Sequence, residues 1–369
     1  MTKKGDPSPE SGRKQNQRLK PYLILQILMR ETDANHSLSA KKLEKELASW
    51  GIEGERHSIY LDIKAINEAN WLLRHRDKSI DDAVEAVQND KYDKEKIILY
   101  DESKKGFYLQ PKGYTSEEIH LLAESVYTAK FLTQKNCDDM TAFLCGYVSK
   151  YQAADIRHDV LLTDRVRTNN KKVLDNIRAI NIAMEDNPKE GQTPPKISFK
   201  YLSYNLNGEQ VKRGKGDPFI VSPYKLLIND GNYYLLAYVS GKQRMQTFRV
   251  DRMDGVSLTG EPREGKEAFA AINLKDYTKR TFSMFEGEQR RVTIRFTNSM
   301  LNTVFERFGK DGAVYTNTDA HHFTLTTEVK ISPQFFGWLL GLGTSAKLLG
   351  DKETVEKFTA YIDKIRKAY

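Results

Sequence analysis

The chain has 369 residues and a formal net charge of +8 at pH 7, from 58 Lys and Arg residues against 50 Asp and Glu residues. This length is too great for one ordinary hydrophobic core, so about two to four domains are expected. The positive balance favours a polyanionic partner, although scattered lysines give the same total. The chain lacks an apolar signal segment and any stretch near about 18 apolar residues, which predicts a cytoplasmic protein that binds no membrane.

The two cysteines, Cys137 and Cys145, are expected on one helix. Eight residues of helix would separate their Cα atoms by about 12 Å, too far for a disulfide. They are therefore predicted to be small core residues in a reducing compartment.

Residues 1–18 are rich in cations and poor in apolar residues, so we predict a disordered basic arm (1–18). This arm would either contact phosphates or stay solvated.

Three apolar helices are predicted after the arm, at 19–30, 39–50 and about 55–70, with Ser39 as the N-cap of the second. A Gly-bearing turn at 51–54 precedes the third helix, which places Ile59, Ile63 and Ile66 on one stripe. Helix, helix, short turn and helix is the order of a helix-turn-helix, although a small structural bundle has similar spacing.

A wing is expected behind these helices, from a strand at 71–76 and a second strand at 106–109. The two strands enclose an acidic, helix-prone insertion. We therefore predict a winged helix-turn-helix DNA-binding domain over 19–112, with an insertion at 79–104. Its DNA contacts are predicted to be the polar residues off the isoleucine stripe and two arginines of the first wing strand: Arg56, His57, Ser58, Tyr60, Lys64, Arg74 and Arg76.

The middle of the chain, 113–190, is predicted to be a helical linker. Thr115 and Glu118 have the spacing of a capping box, and apolar periodicity indicates helices near 115–132, 138–152 and 170–185. Such a block would couple two domains, form a dimer surface or act as a spacer.

Two alternating stretches, 197–201 and 223–253, predict antiparallel strands with tight turns, one of them at Asn229-Asp230-Gly231. Rings and cations share these strands. Either the rings are core and the arginines lie in solvent or pair with Asp251 and Asp254, or the two sets of side chains bind a nucleotide or nucleic acid.

Three segments in this region resemble the signature of WYL-domain transcriptional regulators: PYKL at 223–226, GNYYL at 231–235 and TFRVDRM at 247–253. Tyr233 stands where the signature has Trp. The segment ERHSIYLDIKAI at 55–66 is similar to the recognition helix of the same family.

The resemblance implies that 195–260 is a WYL domain, a small Sm-like or SH3-like β-barrel. In relatives this barrel senses a nucleotide or a single-stranded nucleic acid. Seven residues are the predicted effector contacts: Lys200, Tyr201, Tyr224, Tyr234, Phe248, Arg249 and Arg252.

The C-terminal region, 289–369, has a predicted βαββα order that indicates a ferredoxin-like α+β domain. Its segment 333–343 resembles the WCX extension that follows many WYL domains, and its apolar faces suit dimer packing. The expected fold class is therefore a multidomain α+β protein.

Several enzyme signatures are missing: there is no P-loop, H-E-x-x-H, C-x-x-C or G-x-S-x-G. His321 and His322 are adjacent on a predicted strand and point to opposite faces, which disfavours a shared metal ion. No catalytic residue, metal ligand or cofactor is predicted, and the protein is not expected to be an enzyme.

The leading hypothesis is a bacterial, homodimeric transcriptional regulator that binds double-stranded DNA and answers a nucleotide or single-stranded effector. The alternative is an RNA- or single-strand-binding accessory protein that modulates a nuclease or phage-defence system.

Overall fold

The structure, a computed structural model, describes residues 17–161, 167–185, 193–207, 209–212, 217–272, 274, 287–310 and 312–369. It is a mixed α/β protein with a helical N-terminal region and several antiparallel sheets. The chain forms two compact units, the first made of residues 17–129 and 134–161 and the second of 130–133 and the described residues from 167 onward. The predicted basic arm lies outside the described residues except for Gln17 and Arg18.

Three helices open the first unit: α1 Lys20–Glu31, α2 Ala40–Ser49 and α3 Arg56–Arg74. Ser39 caps α2 as predicted, because its side chain accepts a hydrogen bond from the Lys42 backbone nitrogen. The predicted isoleucine stripe of α3 is buried in a shared core with α1 and α2. Gly51 has a φ of +74° and supplies the left-handed turn before α3.

The next elements are α4 Ile80–Asn89 and a hairpin of β1 Ile98–Asp101 and β2 Gly106–Leu109. The predicted strand at 71–76 was wrong, since α3 continues to Arg74 and buries Trp71 against Ala83 and Val87 of α4. The first hairpin strand instead lies inside the predicted insertion at 79–104. Packing against α4 makes the longer helix favourable, and this contact is not visible in the local sequence.

The predicted linker is divided between the units. Helices α5 Ser116–Thr128, α6 Gln134–Cys145 and α7 Lys150–Leu161 belong to the first unit, and α8 Val173–Met184 belongs to the second. Thr115 and Glu118 form the predicted capping box. The single helix predicted at 138–152 was wrong, because the chain breaks after Cys145 and Ser149 starts a new helix. Both cysteines are buried and free.

The first sheet of the second unit has the order β4-β3-β5-β6-β7, and β8 also pairs with β3. Asp230 and Gly231, both at positive φ, form the predicted turn between β5 and β6. Helix α8 packs on the sheet through Val173, Ile180 and Ala183. The strands are β3 Pro195–Tyr204, β4 Gln210–Lys212, β5 Phe219–Asn229, β6 Asn232–Val239, β7 Arg244–Arg249 and β8 Met253–Pro262; helix α9 is Lys266–Ala270.

The C-terminal sheet is antiparallel in the order β10-β11-β9-β12. Its core is formed by fully buried residues such as Ile294, Phe296 and Leu325. The predicted βαββα order missed β12, a short strand at the sheet edge. The elements are β9 Glu288–Thr297, α10 Leu301–Phe308, β10 Val314–Asn317, β11 His322–Ile331, α11 Pro333–Gly341, β12 Ala346–Gly350 and α12 Lys352–Arg366.

Within the part of the chain that the structure describes, no helix is both long enough and apolar enough to cross a membrane.

Candidate functional site

Helix α3 has one face that the core does not use. His57 and Leu61 are exposed there, while Ile59 and Ile63 are at most 5% exposed on the other side. Arg56 is exposed in the first turn of the helix. Among the described residues His57 makes no hydrogen bond or ion pair. Lys64, on the same face, is 44% exposed and reaches Glu68 only at 3.8 Å. Three of the predicted DNA contacts are therefore accessible: Arg56 and His57 are exposed, and Lys64 is exposed in part.

Tyr60 is only partly available, because it joins α3 to the hairpin. Its ring meets Phe107 of β2 edge-on at a centroid distance of 5.0 Å, and the Arg56 guanidinium lies 5.8 Å from its centroid. A hydrogen bond to Tyr60 raises the pKa of Arg56. Tyr60 thus packs α3 against the hairpin and lies beside Arg56, and it remains 37% exposed.

Ser58 is corrected from a DNA contact to a packing residue. Its hydroxyl accepts a hydrogen bond from the Lys20 ammonium, which also pairs with Asp62 at 2.8 Å. The Lys20 side chain is 4% exposed, so this pair closes the junction of α1 and α3. Burial of a lysine in this way is stable only because both partners satisfy its charge and protons.

The prediction that Arg74 and Arg76 contact DNA from a wing strand needs correction as well, since neither residue lies on the hairpin. Arg74 is the last residue of α3, about 27 Å along the axis from Arg56, and its Nη2 donates to the Glu95 carbonyl at 2.6 Å. Arg76 follows in an exposed turn. The hairpin tip instead carries Lys104 and Lys105, the latter exposed at a φ of +50°. These two lysines were missed because the first hairpin strand was predicted at 71–76 and lies at Ile98–Asp101.

The second candidate site lies at the end of β7. Arg249 donates from Nε to Asp251 Oδ1 at 3.0 Å and from Nη2 to Oδ2 at 2.8 Å. Asp251 is 1% exposed and the Arg249 side chain 25%. Burial opposes the charge of Arg249, but the hydrogen bonds to Asp251 outweigh it and raise the pKa of Arg249. The predicted role of Arg249 as an anion contact therefore needs correction.

The segment around this pair is held from several sides. Asn170 Nδ2 donates to the carbonyls of Asp251 at 3.0 Å and Met253 at 2.7 Å. Asn176 of α8 donates to the Met253 carbonyl at 2.8 Å. The Tyr201 hydroxyl accepts from the Arg249 backbone nitrogen at 3.1 Å. These bonds fix the turn from β7 to β8 and the residue it contains, Arg252.

Most of the predicted stacking rings are occupied. Phe248 is 3% exposed and packs, together with Tyr201, against Phe199 and Phe219. Burial raises the pKa of Tyr201, and the backbone of Arg249 and the charge of Arg252 oppose it.

The rings of Tyr234 and Tyr224 are also packed against other side chains. Tyr234 is 8% exposed, within an apolar cluster. The ring of Tyr224 stacks on Phe269 at 4.6 Å, lies 4.7 Å from the Arg263 guanidinium, and its hydroxyl donates to the Glu264 carbonyl. The prediction that Tyr224, Tyr234 and Phe248 stack on a base therefore needs correction, because their rings pack on other side chains of the protein.

Arg252 and Lys200 are the predicted anion contacts that remain available. Arg252 Nε is buried without a hydrogen-bond partner among the described residues, and the guanidinium makes no ion pair with them. Asp254, the expected partner, is bound by Lys172 at 2.8 Å instead. Lys200 lies on the face of β3 away from the buried Phe199 and is partly exposed. Arg252 as a whole is partly exposed, and a guanidinium without an ion pair is a suitable contact for an anion.

The described residues contain no cluster of three or more His, Cys, Asp or Glu side chains arranged to hold a metal ion.

Fold and site together define a protein with a helical N-terminal unit and a small antiparallel sheet that presents cations at one turn. Residues 196–258 match the family model of the WYL domain. The chain therefore contains a WYL domain at these residues, and the resemblance of its three strand segments to that family is confirmed.

Two solved structures are similar to the chain. One is proteasome accessory factor B/C (PafBC) of Arthrobacter aurescens, with 14% identity, 97% of this chain and 50% of that chain covered, and a TM-score of 0.29. The other is described as a CRISPR Cas-related protein, with 12% identity, 93% and 97% coverage, and a TM-score of 0.33. The chain thus spans half the length of the first structure. No curated protein matches the chain.

Proposed function

We propose that this protein is a DNA-binding transcriptional regulator whose WYL domain senses a nucleotide or single-stranded nucleic acid and thereby changes operator binding. The observation that carries the proposal is the free face of α3, where His57 and Lys64 stand on a helix anchored by its opposite side, with Arg56 exposed in its first turn. A helix presented in this way fits the major groove, and its cations suit the flanking phosphates.

Finer fold assignments belong to the same proposal. Three helices followed by a hairpin have the order of a winged helix-turn-helix. The pairing of β8 with β3 suits an Sm-like or SH3-like barrel, and the order β10-β11-β9-β12 suits a ferredoxin-like WCX domain. A cytoplasmic homodimer without enzymatic activity completes the proposal.

On the effector side, Arg252 is the proposed anion contact and Lys200 a second charge at the rim. A guanidinium matches two phosphate oxygens with a planar fork of donors, which suits a nucleotide or a nucleic-acid backbone. Control of operator binding further requires that the effector bind the DNA-bound and the free protein with different affinities.

The test is fluorescence anisotropy of a labelled duplex from the region upstream of the gene, titrated with the full chain at several salt concentrations. We expect affinity to fall steeply between about 50 and 200 mM salt, because phosphate contacts release counterions. A flat salt dependence would contradict the proposal. Preference for single-stranded RNA or DNA over every duplex in competition would replace it with the accessory role in a nuclease or phage-defence system.

A further inference from the structure

The free face of α3 has a large aliphatic residue at its centre. Leu61 is 55% exposed, whereas Ile59, Ile63 and Ile66 of the same helix are 0%, 5% and 8% exposed. A helix turns about 100° per residue, so Leu61 lies roughly 160° around the axis from Ile59 and from Ile63. It therefore points away from the core of its own unit, and packing there does not account for a leucine.

Single exposed leucines are common on protein surfaces, so the setting of Leu61 matters more than its exposure. His57 stands four residues before Leu61 and Lys64 three residues after it, which makes both of them its neighbours on the helix surface. Neither side chain is committed to the core. The result is one apolar spot between two side chains whose hydrogen-bond donors suit phosphates or base edges.

Duplex DNA offers a surface of matching chemistry. Thymine alone among the four unmodified bases presents a methyl group in the major groove, and charged phosphates border that groove on both sides. An aliphatic side chain in the middle of a groove-bound helix would cover this methyl group, while polar neighbours reach the base edges and backbone. A leucine offers the other bases no hydrogen bond and so adds no preference for them.

We propose that Leu61 is a specificity-determining residue that packs on the 5-methyl group of one thymine in each half-site of the target duplex. This inference rests on the proposed function, because it requires α3 to lie in the major groove. The α3 face would then recognise DNA in two ways: its cations attract the phosphates, and Leu61 favours thymine through an apolar contact.

The experiment begins with a duplex recovered by the full chain from a library with a randomised core. Each thymine of that duplex is then replaced singly by deoxyuridine, which removes the methyl group and keeps the base pairing. We expect one thymine per half-site at which the replacement weakens binding about fourfold, the factor implied by burying one CH₂-sized group. Replacements elsewhere should leave affinity unchanged.

Two leucine variants separate the methyl contact from general effects on α3. Leu61→Ala should weaken binding to the thymine duplex and abolish the deoxyuridine effect at the sensitive position. Leu73→Ala is the matched control, because Leu73 is 71% exposed on the same helix about 18 Å further along. It should keep both the affinity and the deoxyuridine effect of the natural chain.

Each outcome decides the matter. Binding of duplexes with no thymine sensitive to methyl removal overturns the inference and leaves the proposed function standing. A deoxyuridine effect that persists in Leu61→Ala also overturns it, since another residue would then contact the methyl group. Failure to recover or bind any duplex overturns the proposed function together with the inference.

Discussion

Arg249 and Asp251 form a pair with two hydrogen bonds, at 3.0 and 2.8 Å, in which the carboxylate is 1% exposed. Two residues further on, the guanidinium of Arg252 has no partner among the described residues. The two arginines of the TFRVDRM segment therefore have different tasks. Arg249 holds the turn between β7 and β8, and Arg252 is presented by it.

The first prediction separates these tasks. Arg249→Ala should destabilise the second unit by about 2 to 4 kcal/mol, because it leaves the buried Asp251 carboxylate unpaired, with some reduction for the partial exposure of Arg249. Arg252→Ala, the matched control, should stay within about 1 kcal/mol of the natural chain and lose binding of a nucleotide probe. Hydrogen exchange of β7 and β8 measures the first effect. Equal protection in both variants would contradict the assignment.

The second prediction concerns the charges of α3. Replacing Arg56 and Lys64 together by Ala should weaken duplex binding and lower the slope of log affinity against log salt by about two, one for each lost phosphate contact. Arg74→Ala serves as the control, because that side chain is bonded to Glu95 at the far end of the helix. An unchanged slope in the double variant would show that the phosphates are bound elsewhere.

The third prediction concerns the attachment of the hairpin. Asn67 is 4% exposed; its Oδ1 accepts from the backbone nitrogens of Ile97 and Ile98 and its Nδ2 donates to the Ile98 carbonyl. Asn67→Ala should cost about 2 to 4 kcal/mol, because three buried backbone groups lose their partner.

Asn70→Ala is the control for this change, since Asn70 Oδ1 has no hydrogen-bond partner among the described residues. We expect its effect to stay below about 1 kcal/mol. Urea unfolding followed by tryptophan fluorescence gives both values, because Trp50 and Trp71 lie in the first unit. Similar losses in the two variants would argue against a specific role for Asn67.

The fourth prediction is a pH dependence. Asp33 accepts hydrogen bonds from Ser149, from His36 Nδ1 and from the Asn35 backbone nitrogen. Burial raises the pKa of this carboxyl, but these bonds outweigh burial and place the pKa below its ordinary value of 3.8. Its stabilising contribution is therefore complete above pH 3.8 and is lost as the pH falls through the lower folded-state pKa.

Asp33→Asn should accordingly destabilise the first unit by about 1 to 3 kcal/mol near neutral pH, with a difference that shrinks in acid. Thermal unfolding followed by tryptophan fluorescence at about pH 6 and about pH 3 measures the change. Asp155→Asn provides the reference, because Asp155 is exposed and has no ion pair in the described residues. A difference that stays constant between the two pH values would contradict the assignment.

Sequence patterns predicted the elements whose causes are local. Ser39 and Thr115 cap helices because their side chains bond to backbone groups three residues away, and Asp230 with Gly231 forms a turn for similarly local reasons. The resemblance to the WYL family is confirmed as well, because the family model covers all three segments. These segments lie on the consecutive strands β5, β6 and β7, so each is a local strand pattern.

The same patterns failed where a distant residue decides the outcome. The strand predicted at 71–76 became helix because α4 covers Trp71. Lys20 is buried by Asp62 and Ser58, which lie about 40 positions further along the chain, and no local pattern around Lys20 indicates that burial. Asn67 lies off the isoleucine stripe of α3 by position, and the folded chain uses it to anchor β1.

By itself, the sequence determined that the chain contains a WYL domain and that cations and rings share its strands, because strand alternation, turn residues and helix caps act over a few residues. Only the tertiary structure decided which of those side chains are free. It paired Arg249 with Asp251, buried Phe248 and Tyr234, left Leu61 in solvent, and gave Arg252 no acceptor within the described part of the chain. Which side chains pair with each other depends on atoms that folding brings together, and the spacing of residues along the chain does not indicate it.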